Sequence, residues 1–65
     1  MSVAQENKDM EIRVAMNGLR WAEEKIRSMV IVLNQYGYTV EAATVDAILA
    51  ALIVEDANIA ALVQH

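Results

Sequence analysis

Ile12, Leu19, Ile26 and Leu33 stand seven residues apart, and Ala15, Ala22, Met29 and Tyr36 each follow one of them by three. Apolar residues that recur at spacings of three and four fall on one stripe of an α-helix. This half of the chain is therefore expected to be a long helix packed lengthwise against others. Such a seam specifies partners rather than chemistry. No proline interrupts it. Ser2 with Gln5 three positions later matches a capping box, and Glu6 suits the positive end of a helix dipole. The first helix is placed over about residues 3–36 on these signals.

Gly37 is one of only two glycines, and it follows the seam directly. A glycine just past a helix can take the left-handed conformation, which puts Leu33 and Tyr38 at the two positions that touch in a Schellman motif. Thr39 is then a good N-cap and Glu41 a favourable first-turn anion. A turn at 37–39 and a second helix over about 40–63 complete the single domain, residues 1–65. So short a connection makes the helices antiparallel neighbours, and residues whose numbers sum to about 75 face one another. Ile12 then meets Val63, Ala15 meets Ile59, Ala22 meets Leu52, Ile26 meets Leu49, Met29 meets Val45 and Leu33 meets Ala42. Small residues oppose large ones at most of these layers, which fills space without overpacking.

One hairpin does not use all the apolar surface. The chain is 57% hydrophobic, and Met29–Leu33 and Ala47–Val54 are apolar around the whole helix. A helix of that kind is buried on several sides. Chains below roughly 70–80 residues seldom build a sufficient core without disulfides, metal or oligomerisation. With no cysteine and a single histidine, His65, neither a disulfide nor a thiolate or histidine metal site is available. Association is what remains. The expected fold is all-α: an antiparallel two-helix hairpin that dimerises into a four-helix bundle. Its core and dimer contacts fall on Ile12, Ala15, Leu19, Ala22, Ile26, Met29, Leu33, Val45, Leu49, Leu52, Ile53 and Ile59.

Composition narrows the function classes. No stretch reaches the roughly 18–20 apolar residues of a membrane span, and no secretory signal is visible. A soluble, cytoplasmic protein without membrane contact is expected. The net charge is −4, and the five basic residues all lie in the first half. An acidic chain binds nucleic acid or anionic membrane poorly unless it carries a local basic stripe. Catalysis finds no support, because a nucleophile needs a base within reach and the sole imidazole is the last residue. Glu23–Glu24 and Glu55–Asp56 are adjacent pairs that diverge on a helix. No phosphate loop or metal-binding spacing occurs, so neither a metal nor a cofactor is expected. The chain does not read as an enzyme.

The remaining signals are those of contact. Trp21 is the sole tryptophan and lies off the hairpin seam on a face shared with Val14. Tryptophan buries much area at little entropic cost, so Trp21 is an interface residue, in a dimer or against another partner. Arg13, Arg20 and Arg27 form a ladder of one arginine per heptad. It can clamp carboxylates or phosphates, or it can form a solvated face paired as Asp9–Arg13, Arg20–Glu24 and Glu23–Arg27. Met10, Arg13, Val14, Arg20, Trp21 and Arg27 together are the expected partner-contact strip. Asp56 falls on the apolar face of the second helix. It either reaches solvent through a bend or joins Arg20, Asn17 or Trp21 in a polar layer. Gly18 admits a close approach or is a tolerated weakness. Tyr36 and Tyr38 bracket the turn as support for the core end or as an exposed contact.

With its seam and its Tyr36-Gly37-Tyr38 turn, the chain resembles in size and organisation the small phage-encoded helical-hairpin proteins that disable host regulators, including quorum-sensing anti-activators. That resemblance spans the whole chain as architecture. It implies a homodimer that binds and inhibits another protein. The chain is also similar in length, acidity and plan to Rop-type RNA-binding four-helix bundles. In that case Arg13, Asn17, Arg20 and Arg27 would stand in for the RNA-contacting face, although its small seam residues are placed differently. A purely structural, self-assembling role is the third alternative.

Overall fold

The computed structural model describes residues 3–63. Two helices pack against each other: α1, Val3–Gln35, and α2, Thr39–Leu62. The pair measures 53 × 15 × 11 Å and has a radius of gyration of 15.5 Å. A compact domain of this length would have a radius of about 11 Å. The chain is thus one layer of two rods, with no second layer of its own to bury against. Ser2, half of the expected capping box, lies outside the described residues, as does His65.

The turn follows from local backbone chemistry. Gly37 has φ +84, a conformation in which a Cβ would be strained. With the chain turned there, the Tyr38 N–H reaches back to the Leu33 carbonyl at 2.8 Å and the Gly37 N–H to the Asn34 carbonyl at 3.1 Å. These are the two bonds of a Schellman motif, and they satisfy carbonyls that the end of α1 would leave bare. The start of α2 differs by one residue from the sequence reading. Tyr38 holds the N-cap position with no side-chain bond, and Thr39 is the first helical residue. The Tyr38 carbonyl already accepts the Ala42 N–H at 2.9 Å, which begins the helix one position before the residue with the better capping side chain.

Burial defines the seam. On α1 the covered series is Asp9, Ile12, Met16, Leu19, Glu23, Ile26, Val30 and Leu33, with Ala22 half-covered beside it; on α2 it is Ala42, Val45, Leu49, Leu52, Asp56, Ile59 and, just past the helix end, Val63, with Ala60 half-covered beside it. Both series step by three and four. Among the described residues only Met16, Ala42, Leu49 and Val63 are buried.

The Ile12 series belongs to the hairpin seam as the sequence indicates, but its companion row does not. Ala15, Met29 and Tyr36 are exposed and Ala22 is half-covered, while Met16 and Val30, one residue further on, turn inward. Area explains the rotation. The inward row exchanges Ala15 and Met29 for Met16 and Val30, a net gain of a valine over an alanine at about 25 cal/mol per Å². That gain carries Glu23 into the same row. On α2, Ile53 is 42% exposed and flanks the seam rather than filling it.

Gly37→Ala should destabilise the hairpin by about 1 kcal/mol, because alanine tolerates the left-handed conformation poorly. Thermal unfolding followed by circular dichroism at one fixed protein concentration checks this, and an unchanged midpoint would contradict the cap assignment.

Candidate functional site

Two features of the surface hold chemistry, and both are built on α1. The first is a polar layer inside the seam. Asp56 does not escape to solvent through a bend in α2: its side chain is only 15% exposed, and Arg20 Nε lies 3.4 Å from its Oδ2. Of the partners that the sequence offered for Asp56, the structure selects Arg20. Glu23 enters the same layer from α1, with its Oε2 occluded and lacking a hydrogen-bond donor. Burial pushes the Glu23 carboxyl above its ordinary range. A hydrogen bond to Asp56 and the Asp56 charge push it the same way, against the opposing pull of Arg20 and Arg27.

Arg13 has a different task. Its Nη2 donates to the Val63 carbonyl at 2.9 Å, across the open end of the hairpin. A guanidinium there satisfies a terminal carbonyl of α2 and meets the negative end of the helix dipole. Two members of the arginine ladder therefore brace α1 against α2. None of its members forms the expected pair with an acid four residues away. Asp9 Oδ1 is occluded without a donor, because Arg13 reaches past it to α2. Arg27 makes no ion pair among the described residues, although its charge acts on Glu23.

The second feature is apolar and faces away from α2. Met10, Val14 and Trp21 are 62%, 64% and 63% exposed. Their spacing of four and then seven sets them in one row along the outside of α1. Lys25 Nζ stands 5.1 Å from the centre of the Trp21 ring, one turn on, which is within cation–π range. This contact leaves the side chain largely exposed, at 63%. The Arg20 and Arg27 guanidinium groups run beside that row, on the side nearer α2. The expected strip of Met10, Arg13, Val14, Arg20, Trp21 and Arg27 is thus an apolar outer row with an arginine border, and two of the three arginines already serve the fold.

Sequence reading missed Glu23 as a seam residue. The signal was available in the four-residue step from Leu19, but a charge at a core position argues against choosing that row. Gly18 has no atom within 4 Å of where its Cβ would stand, so no close approach within the hairpin accounts for it. Among the described residues no acidic, histidine or cysteine group could hold a metal, and no helix is long and apolar enough to cross a membrane.

The Glu23 layer makes stability depend on pH. A carboxyl whose pKa is raised by folding stabilises the native state fully below the unfolded pKa, and that contribution is lost as pH rises through the folded value. Glu23→Gln should therefore raise the melting temperature at neutral pH, with the advantage shrinking as pH falls through the raised value and gone once it is below the ordinary glutamate range. Parallel melting curves for the two proteins across that window would count against the layer.

No family model, curated protein or solved structure matches the chain, so its surface chemistry alone carries a functional reading.

Proposed function

We propose that this chain is a non-enzymatic protein–protein interaction module: a small, cytoplasmic, homodimeric helical protein that binds another protein and inhibits it, in the manner of phage-encoded anti-activators that act on host regulators. The observation that carries the reading is the exposed row of Met10, Val14 and Trp21. A tryptophan 63% exposed on a rigid helix, with methionine and valine aligned beside it, is a large uncovered apolar surface with a definite shape. Soluble proteins rarely leave such a row bare without a partner for it. Tryptophan, methionine and arginine are the side chains over-represented at such contacts. Arg27, without an ion pair of its own, adds a cation at the border that suits an acidic neighbour on the target.

An RNA-binding bundle draws less support. It needs the arginine ladder free for phosphates, whereas Arg13 and Arg20 are bonded to Val63 and Asp56. Glu24 also stands among them on the outer face of α1.

Capture of partners from the native host lysate, with and without nuclease, tests the assignment. One protein should survive nuclease and be retained by the wild type. With the purified target, Trp21→Ala should weaken binding by at least about 2 kcal/mol, the threshold of a hot-spot residue. Helical content should be unchanged, because the side chain lies outside the seam. Retention of nucleic acid, or of a protein lost on nuclease treatment, would move the assignment to the RNA-binding class. Recovery of the chain alone would leave a self-assembling structural role.

A further inference from the structure

The seam is bridged on one side and open on the other. On the bridged side Arg13 reaches Val63 and Arg20 reaches Asp56 beside Glu23. On the other, Ile12, Ala15, Met16, Leu19 and Ile59 line an open apolar groove of about 230 Å³. Ala15 starts a row that continues with Ala22 and Met29 at steps of seven, on the groove side of α1. Met29 is 52% exposed, and Ile48, on the corresponding flank of α2 near the turn, is 53% exposed. The groove thus lies at the open end of the hairpin, while bulky apolar side chains project from the same side at the turn end.

We propose that a second copy of the chain docks on this side about a two-fold axis through Ala22, seating Met29 of each copy in the groove beside Ala15 of the other. Equal spacing makes the face self-complementary. Ala15 and Met29 lie about 10 Å on either side of Ala22 along the helix, so an axis at Ala22 places each small residue opposite the other copy's large one. A two-fold contact is made twice, which doubles whatever one groove supplies. The next members of the row, Lys8 and Tyr36, then face each other as cation and aromatic ring. At the centre, Gly18 has no atom within 4 Å of its Cβ position and Ala22 carries only a methyl, so the two α1 helices can approach closely.

Exposed area points to the same occupant. The chain exposes 5026 Å² at a mass of 7.2 kDa. A folded monomer of that mass exposes roughly 4,100 Å². The surplus, about 900 Å², is close to the ~800 Å² that each partner covers in a standard interface. A second copy would cover it while leaving the Trp21 row outward.

This inference rests on the homodimer in the proposed function and adds its face, and the test separates the two. Sedimentation velocity on the wild type gives the mass. Oxidation of Ala22→Cys, in a chain that has no other cysteine, reports the axis. A disulfide forms only between Cα atoms about 4.4–6.8 Å apart, a distance available to paired alanines on a two-fold axis and not to the outer row. Ser28→Cys, in the same row as Trp21, is the control. The expected result is a species of twice the chain mass that is cross-linked through Ala22→Cys and not through Ser28→Cys. A dimer that fails to cross-link at Ala22→Cys, or cross-links equally at Ser28→Cys, overturns this face but not the dimer. A wild type that sediments as a single chain, or as more than two, overturns both, and target capture through Trp21 is then judged separately.

Discussion

In the contact between α1 and α2, Leu49 and Met16 are buried with Ala42 and Val63, and the rest of the seam is only half-covered. Every other property of the hairpin depends on this contact, because the chain has no cysteine for a disulfide and the described residues offer no second layer or metal-binding group to share the task. Its length explains its economy. Two rods touching along one line bury one stripe each, and at about 25 cal/mol per Å² such a stripe leaves little margin over the conformational entropy of ordering some sixty residues. The Gly37 cap matters in the same terms. By fixing where α1 ends and how the chain returns, it sets the register in which the two three-and-four series meet.

Within that contact sits a polar layer that a core optimised for stability alone would not contain. Glu23 and Asp56 bring two carboxyls together, and Arg20 supplies a counter-charge from an exposed side chain. The layer is satisfied in part: Arg20 attends Asp56, whereas Glu23 keeps an oxygen without a donor. A half-buried polar group in a helical seam disfavours slipped registers, in which it would meet only apolar neighbours. The Arg13 bond to the Val63 carbonyl acts similarly at the open end, where the helices would otherwise fray apart. Two rungs of the arginine ladder, Arg13 and Arg20, therefore belong to the hairpin, and Arg27 is the one left without an ion pair among the described residues.

The molecule then divides its remaining surface by position around α1. One side is braced by arginines, the opposite side carries the groove with Ala15, Ala22 and Met29, and the outside carries Met10, Val14 and Trp21. Because the last two do not overlap, self-association and binding of a different protein can coexist.

Much of this was legible in the sequence. The seven-residue recurrence of Ile12, Leu19, Ile26 and Leu33 dictates a helix, and Gly37 dictates its end, because both depend on local geometry that side-chain type alone constrains. The α2 row of Val45, Leu49, Leu52 and Ile59 could be read for the same reason. The choice between Ala15, Ala22 and Met29 and the row one residue further on could not. Both rows are compatible with the same anchors, and the decision rests on how much area Met16 and Val30 remove from water against the cost of taking Glu23 with them. The sequence offered Arg20 among the partners of Asp56 without deciding between it and solvent, and the Arg13 bond to Val63 could not be read, since these partners lie some 36 to 50 residues away across the hairpin. Local pattern fixed the elements and the turn between them; the rotation of α1 about its axis, and with it the row that faces α2 and the row left for others, was decided only when two particular surfaces met.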